Sequence, residues 1–487
     1  MTQTRWPTTG EPPPPPAAGS PHDAGAPRSE GPQHAASTPA RRRPDVPALV
    51  RIPTAWPLVV LLAGYPIWWA LGLTTFAFVG AAAPMAVQLL RRRRLRFPPG
   101  FGLWALLLVW VLLGFLVLGE TAPATMPPAG IKIAPFVLRV MQYTSITVVM
   151  LWIGTMWERE VPRRLVVSLL GVLFLSTVAG GVVGAAFPHG SFATPLSYVL
   201  PRSLLDNGFV GRLTTVNFAQ VQDVLGGVGR PAAPYAYTNT WGYCYSLLLP
   251  WFVVGWLVRT SLLRKAVAVT VLLVSLYPVV YSLNRGLWIG LGLSVAYVVV
   301  RFAMQGRLAP VGWLTAGLAV AAVLFVTTPV QTMITTRVNS GHSNDTRSSL
   351  NGIAFRAAVS SPVLGYGGTR QTIGSNQSIA VGATKACPLC GNRDVGSDGQ
   401  LWNLLLQNGF VGAFCYVAFF LAVAWRYRRD STPIGIAGGL AVLLPLFYMV
   451  VYPAIGMPLA LSFIGVGLLW RNDLQRRAAA RAARDSR

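Results

Sequence analysis

The chain has 487 residues, of which 53% are apolar and 11% charged, and a formal net charge of +25. That charged fraction is less than half the ~25% of soluble domains. With a mean hydropathy of +0.51 it excludes an ordinary soluble enzyme and points to a polytopic membrane protein. The positive balance does not imply nucleic acid, because most of it lies in short loops between apolar runs and in the two tails, where basic residues beside a bilayer are expected.

Residues 1–50, rich in Pro, Gly and Ala (GEPPPPPAAGSPHDAGAP), cannot bury a core and read as a disordered cytoplasmic tail. No signal peptide is read ahead of them, so the first span serves as the membrane signal. Apolar runs follow at 56–73, 74–90, 101–119, 135–157, 164–187, 240–258, 265–283, 286–302, 311–329, 401–425, 433–452 and 455–470. Most approach the roughly 20 residues that cross a bilayer as helix. The expected fold is all-α, with about twelve transmembrane helices. Nine fall within 51–329, three within 401–470, and a basic tail (471–487) closes the chain.

Orientation follows from the basic loops. With the amino terminus inside, RRRRLR (91–96), WEREVPRR (157–164), RTSLLRK (259–265), RFAMQGR (301–307), RYRR (426–429) and the carboxy-terminal tail are all cytoplasmic, as the positive-inside rule requires. Two long loops, 188–239 and 330–400, then face outward, and loops of that length are usually functional. The second, between spans nine and ten, contains an amphipathic helix at Asn344–Ser360 and then a Pro-Gly turn, SPVLGYGG.

Positive charge is normally depleted on the outer side, yet Arg202, Arg212, Arg230, Arg285, Arg337, Arg347, Arg356, Arg370, Lys385 and Arg393 fall there. Glu120, Asp206, Asp223, Asp345, Asp394 and Asp398 oppose them. Arg285, in YSLNRGLWIGLGL (281–293), opens the eighth span. The plain alternative for it is a snorkelling arginine at a helix end. An arginine within a span costs about 2.5–3.5 kcal/mol on the lenient insertion scale, a cost that a bound anion offsets. Guanidinium groups grip phosphate oxygens in pairs and stay charged at all pH, so a lipid diphosphate is the natural ligand. Asn284 and Gly286 are expected to break the helix around Arg285.

The segment DTRSSLNGIAFRAAVSSPVLGYGG (345–368) and the later GSDGQLWNLLLQNGFVGAF (396–414) resemble the signature region of the O-antigen ligase and polymerase superfamily. The family carries an Arg, an amphipathic helix, a Pro-x-x-Gly-x-Gly turn, and a Gly-x-x-Gly inside the next span. Arg347, Pro362, Gly365, Gly367, Gly409 and Gly412 match those positions. SLNRGLWIGL (282–291) is similar to the family's Ser-x-x-Arg-x-x-x-x-Gly segment, which places its first essential arginine at Arg285. GRPAAPYAYTNTWGYCYSLLLP (229–250) is similar to its Gly-Arg…Asn-x-x-Gly segment through Asn239 and Gly242. Where the ligases carry their catalytic histidine this chain has Asp398, a weaker base with an ordinary pKa near 3.9. The plain alternative for Asp398 is a helix cap.

The resemblance implies a metal-independent, inverting glycosyltransferase without a cofactor, embedded in a bacterial inner membrane. Its donor is a polyprenyl diphosphate-linked glycan and its acceptor a hydroxyl on a glycan, lipid or protein at the extracytoplasmic face. Arg285 and Arg347 are the candidates for holding the leaving diphosphate, with Arg212 or Arg230 as a third contact; Asn239, Gly365 and Gly367 complete the binding set. Asp398 is the candidate for accepting or orienting the acceptor proton. A repeat-unit polymerase is the alternative within this chemistry, and a lipid-glycan flippase or transporter the alternative outside it.

CPLC (387–390) reads as a local disulfide in preference to half a zinc site, because no second ligand pair is within reach. Cys244 and Cys415 read as packing residues. Trp68, Trp69, Trp241 and Trp402 read as interfacial belt residues, with sugar stacking the alternative for Trp402.

Overall fold

The computed structural model describes residues 53–485 apart from 93–94, 129, 131, 206–207, 222–228, 259, 308–311, 313–341 and 374–392. The amino-terminal tail, the body of the ninth predicted run and the CPLC loop lie outside the described residues. What is described is mostly helix: α1 (Trp56–Leu62), α2 (Tyr65–Ala70), α3 (Thr74–Leu90), α4 (Phe101–Leu113), α5 (Ile133–Thr155), α6 (Arg163–Ala186), the short α7 (Leu196–Val199), α8 (Arg202–Leu205) and α9 (Gly208–Thr214), then α10 (Thr238–Trp256), α11 (Leu262–Tyr281), α12 (Arg285–Ala303), α13 (His342–Ser360), α14 (Gln400–Tyr427), α15 (Pro433–Tyr448) and α16 (Met457–Asp485). Five of them, α5, α6, α11, α12 and α14, are long and apolar enough to cross a membrane. Three shorter apolar stretches, Thr74–Leu90, Phe101–Val117 and Pro433–Tyr448, accompany them. A chain that satisfies its backbone within apolar helices is suited to lipid, where no water replaces a missing hydrogen bond.

Two predicted runs differ from expectation for local reasons. The run at 56–73 is two short helices, because Pro57 and Pro66 each occupy a first helical turn, the position proline prefers. The last run does not stop at 470: α16 continues through the arginine-rich tail to Asp485. Its residues 457–472 are all buried, so its first half forms the centre of the bundle, packed on α5, α15 and α10. Trp104, Trp152, Trp241 and Trp251 lie fully buried around it. Trp241 therefore belongs to the core, its Nε1 donating to Thr177 O at 2.9 Å, and not to an interfacial belt. Cys244 and Cys415 are buried thiols, as packing residues should be.

The few strands are pairs. β1 (Ser191–Ala193) pairs with β2 (Thr215–Asn217), β3 (Ala219–Val221) with β4 (Gly229–Pro231), and β5 (Arg370–Gln371) with β6 (Asp394–Val395), all antiparallel. The amphipathic helix expected at Asn344–Ser360 is α13. Its Leu350, Ile353, Ala354 and Ala357 form a second small core with Ala122, Tyr366, Val395 and Leu406. Spacings of three and four put those residues on one helix face.

The Pro-Gly turn after α13 docks on a kink in α14. Gly409 has φ 63 and ψ −165 inside that helix, and Phe410 N donates to Pro362 O at 2.8 Å. Tyr366 N and Gly367 N donate to the carbonyls of Leu406 and Gln407. Gly365 and Gly367 both have φ +66, and a Cβ on Gly365 would sit 2.7 Å from Asn408 N. The two glycine motifs are thus one joint, backbone against backbone. A Cβ on Gly409 would lie 2.5 Å from Pro362 O, so Gly409→Ala should cost on the order of 2 kcal/mol through left-handed strain and overpacking. Thermal unfolding of the detergent-purified protein checks this, with Gly102→Ala, where a Cβ meets nothing within 4 Å, as the neutral control.

Candidate functional site

The site begins at the turn between α11 and α12. Pro278 removes one donor from the last turn of α11, and Leu283 takes φ 47, a left-handed conformation costly for a side chain with a Cβ. Asn284 then caps α12, its Oδ1 accepting from Leu287 N at 3.0 Å. Arg285 is the first residue of α12, so its guanidinium charge adds to the positive end of the helix dipole. Of the two residues expected to break the helix, only Asn284 does so. Gly286 is helical, and its missing side chain makes room for Tyr452, whose hydroxyl would lie 2.3 Å from a Cβ there.

Tyr452, in the connection between α15 and α16, is 4% exposed. Its hydroxyl donates to Asn284 Oδ1 and accepts from the Gly286 amide. Three guanidinium groups, of Arg347, Arg230 and Arg285, lie within electrostatic reach of this phenol. Arg230 is itself 5% exposed; its Nε donates to Ser282 O at 2.7 Å and its Nη2 to Asn239 Oδ1 at 3.4 Å. Thr238 Oγ1 donates back to Arg230 O at 3.1 Å, and Asn284 Nδ2 donates to Thr238 O at 3.3 Å. Gly242 completes the fit: a Cβ there would meet Asn284 Nδ2 at 2.6 Å. The Asn-x-x-Gly pattern therefore has a physical content, one residue binding Arg230 and the other admitting Asn284.

Asp398 faces this group from the start of α14. Its Oδ1 is 3.8 Å from Arg347 Nε, while its Oδ2 is buried with no hydrogen-bond partner among the described residues. Burial pushes the carboxyl above its ordinary value, against the pull of Arg347 and then Arg393. The helix cap falls instead on Gly399, which offers no side-chain bond, so Asp398 is not a cap. Gln400 ties the assembly together: its amide N donates to Tyr452 O at 3.0 Å, its Nε2 to Tyr143 Oη at 2.9 Å, and its Oε1 accepts from Ala454 N at 3.0 Å.

Beside this group opens a cavity of about 1020 Å³ whose wall includes Phe76, Ile133, Phe136, Val137 and Met141, with Lys132, Arg139 and Arg370 at its polar margin. Arg139 donates to Gln407 Oε1 and Gly367 O. Arg370 spends its donors on the carbonyls of Leu118, Glu120, Tyr366 and Thr369. Both hold backbone together. Gly367 and Gln407 line this cavity; Arg285, Arg347 and Asp398 do not.

Of the residues singled out from sequence, Arg230, Arg285, Arg347, Asn239 and Asp398 come together. Gly365 serves the joint with α14, and the Arg212 side chain lies outside the described residues. Tyr452 and Gln400 were missed; the only trace of Tyr452 in the sequence is a tyrosine at the end of an apolar run. Among the described residues no three His, Cys, Asp or Glu side chains gather. Comparison with protein-family models, curated proteins and solved structures gives no match.

The hydrogen bond between Tyr452 and Asn284 can be isolated by a double-mutant cycle. Asn284→Ala should cost about 2 kcal/mol, as cap and acceptor are both lost, and Tyr452→Phe about 1 kcal/mol. Together they should cost about 1 kcal/mol less than their sum, read from unfolding curves in detergent.

Proposed function

We propose that the chain is a membrane glycosyltransferase of the O-antigen ligase and polymerase kind. It moves a glycan from a polyprenyl diphosphate to an acceptor hydroxyl at the extracytoplasmic face of a bacterial inner membrane, within a bundle of about twelve spans. The observation that carries this reading is the pairing of Asp398, one buried oxygen of which has no partner among the described residues, with Arg347, whose field reaches the same Tyr452 as Arg230 and Arg285. A carboxylate beside several guanidinium groups supports the reading, because glycosyl transfer from a diphosphate needs a base or orienter next to groups that bind phosphate.

The chemistry follows from that pairing. The acceptor oxygen attacks the anomeric carbon while the bond to the diphosphate oxygen breaks, its electron pair leaving with the diphosphate. Arg285 and Arg347, with Arg230 behind them, stabilise the charge that develops on the leaving group, usually the largest contribution in such reactions. Asp398 takes the acceptor proton on its buried oxygen. Attack opposite the leaving group inverts the anomeric centre. The apolar wall of the larger cavity suits the polyprenyl chain.

Arg285→Ala and Arg347→Ala should each lower transfer about 10²–10³-fold in an assay with purified protein, EDTA, a synthetic lipid-diphosphate glycan and candidate acceptors. Asp398→Asn should lower it about 10²–10⁴-fold. Because Asp398 works deprotonated and its pKa is raised by burial, the wild-type rate should fall on acidification at a pH above the ordinary carboxylate value of about 3.9. Products of more than one transfer would mark a polymerase. Retained transfer in both arginine variants, or transport of the lipid without transfer, would overturn the reading.

A further inference from the structure

A second, smaller cavity of about 330 Å³ lies among α2, α3, α5, α10, strand β2 and the turn before α16. Among the described residues its lining contains no Asp, Glu, Lys or Arg, in a chain whose net charge is +25. Aromatic rings and neutral polar groups take their place, among them Trp69, Tyr237, Gln142, Asn217, Thr75 and Thr240. The side chains of Gln142, Asn217, Tyr237, Thr75 and Thr240 make no hydrogen bond or ion pair among the described residues. Trp69 is fixed edge-on to Phe192 at 5.8 Å and tilted against Phe218 at 6.2 Å, so the indole is a rigid wall.

We infer that this cavity is a binding site for an uncharged saccharide ring, which under the transfer reading above is the glycan of a substrate. Three properties select that class. Rigid aromatic faces pack on the C–H face of a sugar. The amides of Gln142 and Asn217 offer a donor and an acceptor side by side, matched to neighbouring hydroxyls, and the threonine and tyrosine hydroxyls can both give and accept. None of the described lining residues is ionised, so none of them pairs with a phosphate or a uronate, which would lose its hydration without compensation. A few converging polar groups on an apolar wall is the usual design of a small-ligand site.

The position agrees with the chemistry. Thr240 follows Asn239, which binds Arg230, and Pro453 follows Tyr452, on which the three arginines act. Adjacent Cα atoms are about 3.8 Å apart, so the neutral cavity adjoins the cationic group directly. Thr75, Gln142 and Ile455 line both this cavity and the larger apolar one. Charge, sugar and chain would then each meet a surface of its own kind.

The test needs neither donor nor transfer. Full-length protein in detergent is titrated, by saturation-transfer NMR, with maltotriose, mannotriose and chitotriose, and in parallel with an anionic galacturonan trimer. At least one neutral trisaccharide should bind and the anionic one should bind at least 10-fold more weakly. Asn217→Ala and Tyr237→Ala, at exposed positions, should each weaken the neutral ligand about 5–10-fold with unchanged unfolding temperature. Trp69→Ala should weaken it further. Arg285→Ala should leave saccharide binding intact, which separates this proposal from the transfer reading. Absence of binding by all three neutral trisaccharides, equal binding of the anionic trimer, or unchanged affinity in both the Asn217 and Tyr237 variants would overturn it.

Discussion

Guanidinium groups placed among apolar helices dictate how one end of this bundle is built. An arginine does not give up its proton, so burial must supply acceptors instead. Arg230 obtains the carbonyl of Ser282 and the amide of Asn239; Arg139 obtains Gln407 and Gly367 O; Arg370 obtains four backbone carbonyls. Most of the carbonyl acceptors lie where the backbone is irregular: a broken helix at 282–284, the turn with left-handed glycines at 365 and 367, and the chain leaving the 3-10 turn Gly114–Val117. Irregular backbone buried among apolar helices needs hydrogen-bond partners from the protein, and here the arginines supply them. The breaks and the cations stabilise one another.

The two ends of the bundle use charge differently. Six of the seven ion pairs among the described residues join Arg92, Arg163, Arg426, Arg471, Arg476 and Arg477 to Glu158, Glu160, Asp430 and Asp473. Those pairs tie the end of α3, the α5–α6 connection, α6, α14 and α16 together at the end opposite Tyr452, with Asn472 bonded to both Arg163 and Asp430. At the Tyr452 end the one described pair, Arg347 with Asp398, is long at 3.8 Å. Short, multiply bonded pairs fix structure. A loose pair with a buried, partnerless oxygen leaves groups able to turn to a ligand.

Much of this was legible in the sequence, and the reasons differ by element. Apolar runs marked α5, α6, α11, α12 and α14 because a helix in lipid needs length and little else. Period-3.6 spacing marked α13. The arginines at 230, 285 and 347 stood out as positive charge in segments that the sequence orientation assigns to the outer side, and the motif spacing singled out Asp398 beside them. The first run misled because hydropathy is blind to Pro57 and Pro66, and the last because arginines on an exposed helical face look the same as arginines in a tail. Tyr452 and Gln400 carried no pattern at all. They matter through contacts across the fold, with Asn284 168 residues from Tyr452 and Tyr143 257 residues from Gln400, and spacing along a chain does not report those.

The glycines show how a motif can be right in place and different in work. Gly365 and Gly367 read from sequence as part of the binding set, yet their positive φ values and close approach, and those of Gly409, make the three a joint between the 330–400 loop and α14. That joint sets the reach of the loop. α13 hangs from it on one side and carries Arg347; β6 leads from the other into Asp398. Pro362 and Gly409 therefore fix where Asp398 and Arg347 meet, without touching either. A shift of even one residue in the register of Tyr366 and Gly367 on Leu406 and Gln407 would move Arg347 relative to Asp398 and Arg285 together. The position of the Arg347–Asp398 pair is set by backbone that takes no part in it.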